Sequence, residues 1–94
     1  MASKVYDFRA QVVLTTSFVE VSLGRECDTQ YLEHVSGDST VVVSFDGGTT
    51  EHKHIAPSRA IEWSDHPRSS VHLKRTGGSA ATVEVCATID AGEE

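Results

Sequence analysis

The sequence predicts an all-β fold, an antiparallel β-sandwich of about eight short strands in a jelly-roll or immunoglobulin-like order. Three observations carry this. Apolar side chains recur with a period of two in short blocks, the pattern of strands with one face in a core and the other in water. Turn residues punctuate the blocks roughly every eight to twelve residues. No block shows the spacing of an amphipathic helix.

The first strand is expected over 9–14 and the second over 18–23, separated by the polar Thr15-Thr16-Ser17 and closed by Gly24. A third over 30–35 leads through Ser36-Gly37-Asp38-Ser39 into a fourth over 40–45, and this turn cluster reads as a hairpin. Asp46-Gly47-Gly48 is the strongest turn signal in the chain, because glycine supplies the positive φ of tight hairpin turns. It predicts a fifth strand over 50–55, which Pro57 ends because proline cannot donate to a ladder. A short sixth strand over 59–63 precedes the loop Asp65-His66-Pro67. Strands over 70–75 and 81–89, joined by Thr76-Gly77-Gly78-Ser79, read as a further hairpin. In the last strand Val83, Val85, Ala87 and Ile89 share one face, and Thr82, Glu84, Cys86 and Thr88 the other. Residues 1–9 are expected to be an N-terminal arm or edge strand, 10–90 the sandwich and 91–94 an acidic tail.

Composition narrows the function classes. A chain of 94 residues holds one domain and buries only about 60–65% of its unfolded surface, so a metal, a disulfide or a partner subunit bears on its stability. Its 14 acidic residues against 8 basic ones give a net charge of −6, which repels a phosphate backbone. No nucleic-acid partner is expected. Apolar runs are far shorter than the roughly 20 residues of a membrane span, and Met1-Ala2-Ser3-Lys4 lacks the apolar core of a secretion signal, so no membrane partner is expected and synthesis is assigned to the cytoplasm. Cys27 and Cys86 are too few for a disulfide framework, lack Cys-x-x-Cys spacing, and are expected to be free buried thiols.

Three features invite a chemical reading. His52-x-His54 places two imidazoles on one face of a strand, where both could reach a metal. The cupin jelly rolls, with Gly-x5-His-x-His-x3,4-Glu, are the comparison to make. Here Gly47 stands one residue too close to His52, and Ser58 or Arg59 occupies the glutamate position, so the motif fails. A polar, outward-facing stripe accounts for the pair. Trp63, flanked by Glu62 and Asp65, is a candidate platform for a sugar ring, with core or subunit contact as the competing use. No Gly-x-Ser-x-Gly elbow, P-loop or dinucleotide fingerprint is present, and neither cysteine has a histidine nearby in sequence to activate it, so no enzyme and no cofactor are expected.

A family resemblance rests on overall pattern. Leu14-Thr15-Thr16-Ser17-Phe18-Val19-Glu20-Val21-Ser22-Leu23, then Val43-Ser44-Phe45-Asp46-Gly47-Gly48, then His54-Ile55-Ala56-Pro57, then Val71-His72-Leu73-Lys74-Arg75 with Val83-Glu84-Val85, span roughly 10–90. In this order they resemble the small capsid decoration, or cement, proteins of tailed bacteriophages. The resemblance implies a non-enzymatic structural protein of the virion, placed on the outer capsid surface and bound to the major capsid protein. It implies a homo-oligomer, trimer or dimer. Lys4, Tyr6, Phe8 and Arg9 are then the expected capsid-contact residues, as cationic and aromatic anchors on an arm that orders on binding.

Overall fold

The computed structural model describes the backbone of residues 4–64 and 66–90, and the side chains of 7–64 and 66–89. It contains eight strands: β1 (Lys4–Val13), β2 (Val19–Cys27), β3 (Thr29–Gly37), β4 (Thr40–Ser44), β5 (Lys53–Ile55), β6 (Ala60–Trp63), β7 (Arg68–Thr76) and β8 (Ala81–Asp90). The expected tail at 91–94 and the first three residues of the expected arm lie outside the described residues.

The strands form two four-stranded antiparallel sheets, ordered β1-β8-β3-β6 and β2-β7-β4-β5. Only β4 and β5 follow each other within one sheet; every other connection crosses to the opposite sheet. That wrapped order is the jelly roll, since an immunoglobulin-like sandwich keeps several consecutive pairs together. Alternation builds the core between the sheets. Val21 and Leu23 of β2, Val41 and Val43 of β4, Val71 and Leu73 of β7, and Val83, Val85 and Ala87 of β8 all point inward and are buried. Burial of such side chains is worth about 1.5–3 kcal/mol each, the principal force closing the sandwich.

Local turn signals are correct about position and in two cases wrong about pairing. The hairpin at Asp46-Gly47-Gly48 forms as expected, with Val41 opposite Ile55 and Val43 opposite Lys53. Inside it, Asp46 Oδ1 accepts from Ser44 Oγ at 2.7 Å and from the Thr50 amide at 2.8 Å, while the Gly48 amide donates to Ser44 Oγ at 2.9 Å. Hydrogen bonding from the Thr50 side chain first, then from Ser44 and from the Thr50 amide, holds the Asp46 carboxyl well below the usual carboxylate range.

The clusters at 36–39 and 76–79, expected as hairpins, are instead corners between sheets, because β3 and β4, and likewise β7 and β8, belong to opposite sheets. Glycine supplies positive φ equally well to either geometry. The two corners are stitched together. Asp38 Oδ1 accepts from the Ser79 and Ala80 amides at 2.8 and 3.1 Å, bonds that lower the Asp38 pKa. The Asp38 and Ser39 amides both donate to the Ala80 carbonyl at 3.0 Å, and Ser39 Oγ donates to the Gly77 carbonyl at 2.6 Å. Buried His34 sets Nε2 at 2.7 Å from the Ser39 carbonyl, which requires the proton on Nε2.

Residues 4–9, the arm-or-edge segment, are the first part of an edge strand. They pair with β8 from Lys4 opposite Asp90 to Arg9 opposite Cys86. Pairing continues to Val13 opposite Thr82, so β1 is longer at its start than the expected 9–14.

Candidate functional site

The two outer faces of the sandwich differ. On the second sheet, Val42 points outward, opposite His54 on one side and Lys74 on the other, yet is only 1% exposed. Its cover is built by neighbours. Glu51 receives Lys74 Nζ at 3.2 Å and His54 Nε2 at 3.0 Å, and Lys74 Nζ also lies 4.7 Å above the Phe18 ring. Donation from His54 and Lys74 lowers the Glu51 pKa. Gly48 of the β4–β5 loop packs against the same Phe18 ring. Val42 is thereby covered, while Glu20, Ser22 and His54 on the same face remain exposed.

The outer face of the first sheet is open. Strand register lines up Arg9, Cys86, Tyr31 and Glu62 across all four strands, with Asp7, Thr88 and Thr29 in the row to one side and Glu84 and Glu33 in the row to the other. Together they line a shallow groove of about 610 Å³. Asp7, Glu33, Glu62 and Glu84 against Arg9 give the groove a formal charge of −3, half of the chain's −6. Arg9 Nη1 reaches Glu84 Oε2 at 3.5 Å, a loose pair on an exposed guanidinium.

The thiol at the centre is not an activated nucleophile. Desolvation pushes the Cys86 pKa up; Arg9 opposes this, and the carboxylates of Glu84, Asp7 and Glu33 add to it. Tyr31 beside it is raised as well, by desolvation and then by Glu33. Both hold their protons at neutral pH. The groove therefore offers an electronegative surface with a phenol and a thiol as hydrogen-bonding groups. Cys27 is fully buried and Cys86 partly so, both unbridged.

The residues singled out from sequence separate in space. Phe8 turns inward and packs against the core, whereas Arg9 lies on the outer face, so the two do not form one contact patch. Lys4 and Tyr6 lie on the backbone of β1, and their side chains are outside the described residues. Trp63 is not a ligand platform: it is 7% exposed, and its ring is tilted against Phe45 at 5.3 Å. Phe45 is itself enclosed by His52, stacked at 5.1 Å, and by the Arg68 guanidinium 3.7 Å above it.

The histidine pair is likewise engaged elsewhere. His52 Nδ1 accepts the Phe45 amide at 3.1 Å, and His54 turns to Glu51. No cluster of three or more His, Cys, Asp or Glu suited to a metal occurs among the described residues, so the cupin-like use of His52 and His54 finds no third ligand there.

No family model and no curated protein matches the chain. Among solved structures, a chain from the Bacillus endospore appendages, described as a novel family of disulfide-linked pili, aligns with a TM-score of 0.64 at 15% identity. The alignment covers 100% of this chain and 92% of that one. The likeness is one of fold. It agrees with the all-β, two-sheet architecture described above.

Proposed function

We propose that this chain is a non-enzymatic structural subunit that works by protein–protein contact within a multi-copy surface assembly. One observation carries the reading: the outer face of the first sheet presents an open, charged groove beside β1, an edge strand with no second neighbour among the described strands. A protein that binds only the assembled state of its target stabilises that state by its binding free energy, and the effect multiplies with copy number. No reactive group is required for this. The decoration-protein resemblance of the sequence favours the outer surface of a phage capsid, bound to the major capsid protein, as the assembly.

A second reading, a subunit of a fibrous surface appendage, is favoured by the structural likeness to the endospore appendage chain. One pair of measurements separates the two. Cosedimentation with undecorated capsids at saturating protein is expected to give stoichiometric binding if the first holds. Negative-stain microscopy of the concentrated protein alone is expected to show filaments if the second holds. Absence of both capsid binding and filaments refutes the structural-subunit reading.

A further inference from the structure

The four sheet edges are unequally protected. Edge strands expose unpaired backbone groups, and proteins blunt them by shortness, irregularity, proline or charged side chains, of which β1 carries only the last along its regular stretch, at Asp7 and Arg9. β5 and β6 are three and four residues long, and β2 shifts register between Ser22 and Cys27. β1 is different. Its register shift lies at its very start, between Lys4 and Tyr6; from Tyr6 to Val13 it runs regularly against β8, contains no proline, and has no second neighbour among the described strands.

Charge along this edge is self-complementary. Directly opposed residues of an antiparallel pair share a face. If β1 pairs antiparallel with β1 of a second copy, only registers centred on a residue keep the two outer faces continuous. Centred on Asp7, the pairing sets Asp7 against Asp7; centred on Arg9, it sets Arg9 against Arg9. Like charges in direct opposition are destabilising. Centred on Phe8, it sets each Asp7 against the second copy's Arg9, giving two reciprocal ion pairs, and brings the half-buried Phe8 rings together on the inner side.

We infer that the chain forms a two-fold dimer through antiparallel β1–β1 pairing in this Phe8-centred register. Two first sheets then merge into one continuous sheet of eight strands, with the two acidic grooves side by side across the dyad. The contact is isologous and therefore closed: it stops at two copies, where a head-to-tail use of the same edge would grow without limit. The inference deepens the structural-subunit reading by naming one contact surface, and its test uses the protein alone, so dimerisation and assembly binding succeed or fail separately.

Sedimentation equilibrium of the full chain is expected to give twice the 10.2 kDa chain mass as concentration rises. Arg9→Asp or Asp7→Arg each turns two attractive pairs repulsive and is expected to weaken the dimer about tenfold, equivalent to about 1.4 kcal/mol. The double variant D7R/R9D restores the reciprocal pairs and is expected to return the dissociation constant to within about threefold of the original. Asp7 and Arg9 are both exposed, and far-ultraviolet circular dichroism checks that each variant keeps its β signal. Hydrogen exchange on the unaltered chain is the independent readout: alternate β1 amides, those facing away from β8, gain protection with concentration. A chain that stays monomeric at about 1 mM, a dimer indifferent to the single reversals, a double variant that is not rescued, or open-ended growth each overturns the inference.

Discussion

Replacing Gly37 with alanine should cost this domain a large part of its stability, through two effects that the structure separates. Gly37 adopts φ of +108°, a conformation that side chains rarely tolerate, and a Cβ placed there would run into the Ala80 carbonyl at the point where the two inter-sheet corners meet. Backbone strain of this kind costs about 1–3 kcal/mol. Crowding against fixed backbone adds about 1–3 kcal/mol, and the smaller entropy of the unfolded alanine chain returns about 0.4–1 kcal/mol.

A net loss of about 2–5 kcal/mol follows, against a total of about 5–14 kcal/mol for a domain of 94 residues. Gly77→Ala is the control: φ is +71°, nothing lies within 4 Å of the added Cβ, and only the left-handed penalty applies, about 1 kcal/mol. Urea unfolding followed by the fluorescence of Trp63, the only tryptophan and 93% buried, reads both variants. The melting temperature should fall by about 10–30 °C for Gly37→Ala. Equal losses in the two variants would refute the claim that the close approach to Ala80 matters.

Acid should destabilise the fold through Asp38 and Asp46. Both have depressed pKa values in the folded chain and ordinary ones near 4 when unfolded, so their stabilisation is complete above the unfolded pKa and is lost as pH falls toward the folded values. The urea midpoint should therefore drop between pH 6 and pH 3, and less so in a D38N/D46N variant; a flat profile in the unaltered chain counts against this. Thiol titration of the native protein should modify Cys86 slowly and spare Cys27, which is fully buried, with both reacting in denaturant. Rapid modification of Cys27 in native conditions would contradict its burial. His34→Phe keeps a planar ring, though a larger one, but leaves the Ser39 carbonyl without its donor, and should cost about 1–3 kcal/mol in the same urea assay; an unchanged midpoint would show that bond to be dispensable.

Much of the fold is legible in the chain itself, because strand alternation is a local property. The inward set Val71 and Leu73, and the set Val83, Val85 and Ala87, are read from period two alone, and burial agrees. The β4–β5 hairpin is also local, since Asp46, Gly47 and Gly48 supply its turn and Ser44 and Thr50 complete its hydrogen bonds. Trp63 is where local reading misleads. Acidic neighbours at Glu62 and Asp65 suggest an exposed ring, yet its burial against Phe45 depends on a residue from β4's end, eighteen positions away in sequence.

The open groove could not be read in advance. Glu84, Cys86 and Thr88 are placed together by alternation, but Arg9, Tyr31 and Glu62 join them only through the registers of three ladders. What the sequence by itself determined is the inventory: about eight strands, which side chains face inward, and where the chain turns. Only the tertiary structure decided which strands pair. A turn with positive-φ glycine serves a hairpin and a corner equally, as the segments around Gly47 and Gly37 show, and the choice falls to whichever sheet can bury the next strand's apolar face. That choice makes the sandwich a jelly roll, puts β1 at an edge, and gathers the acidic groove on the outer face of the first sheet.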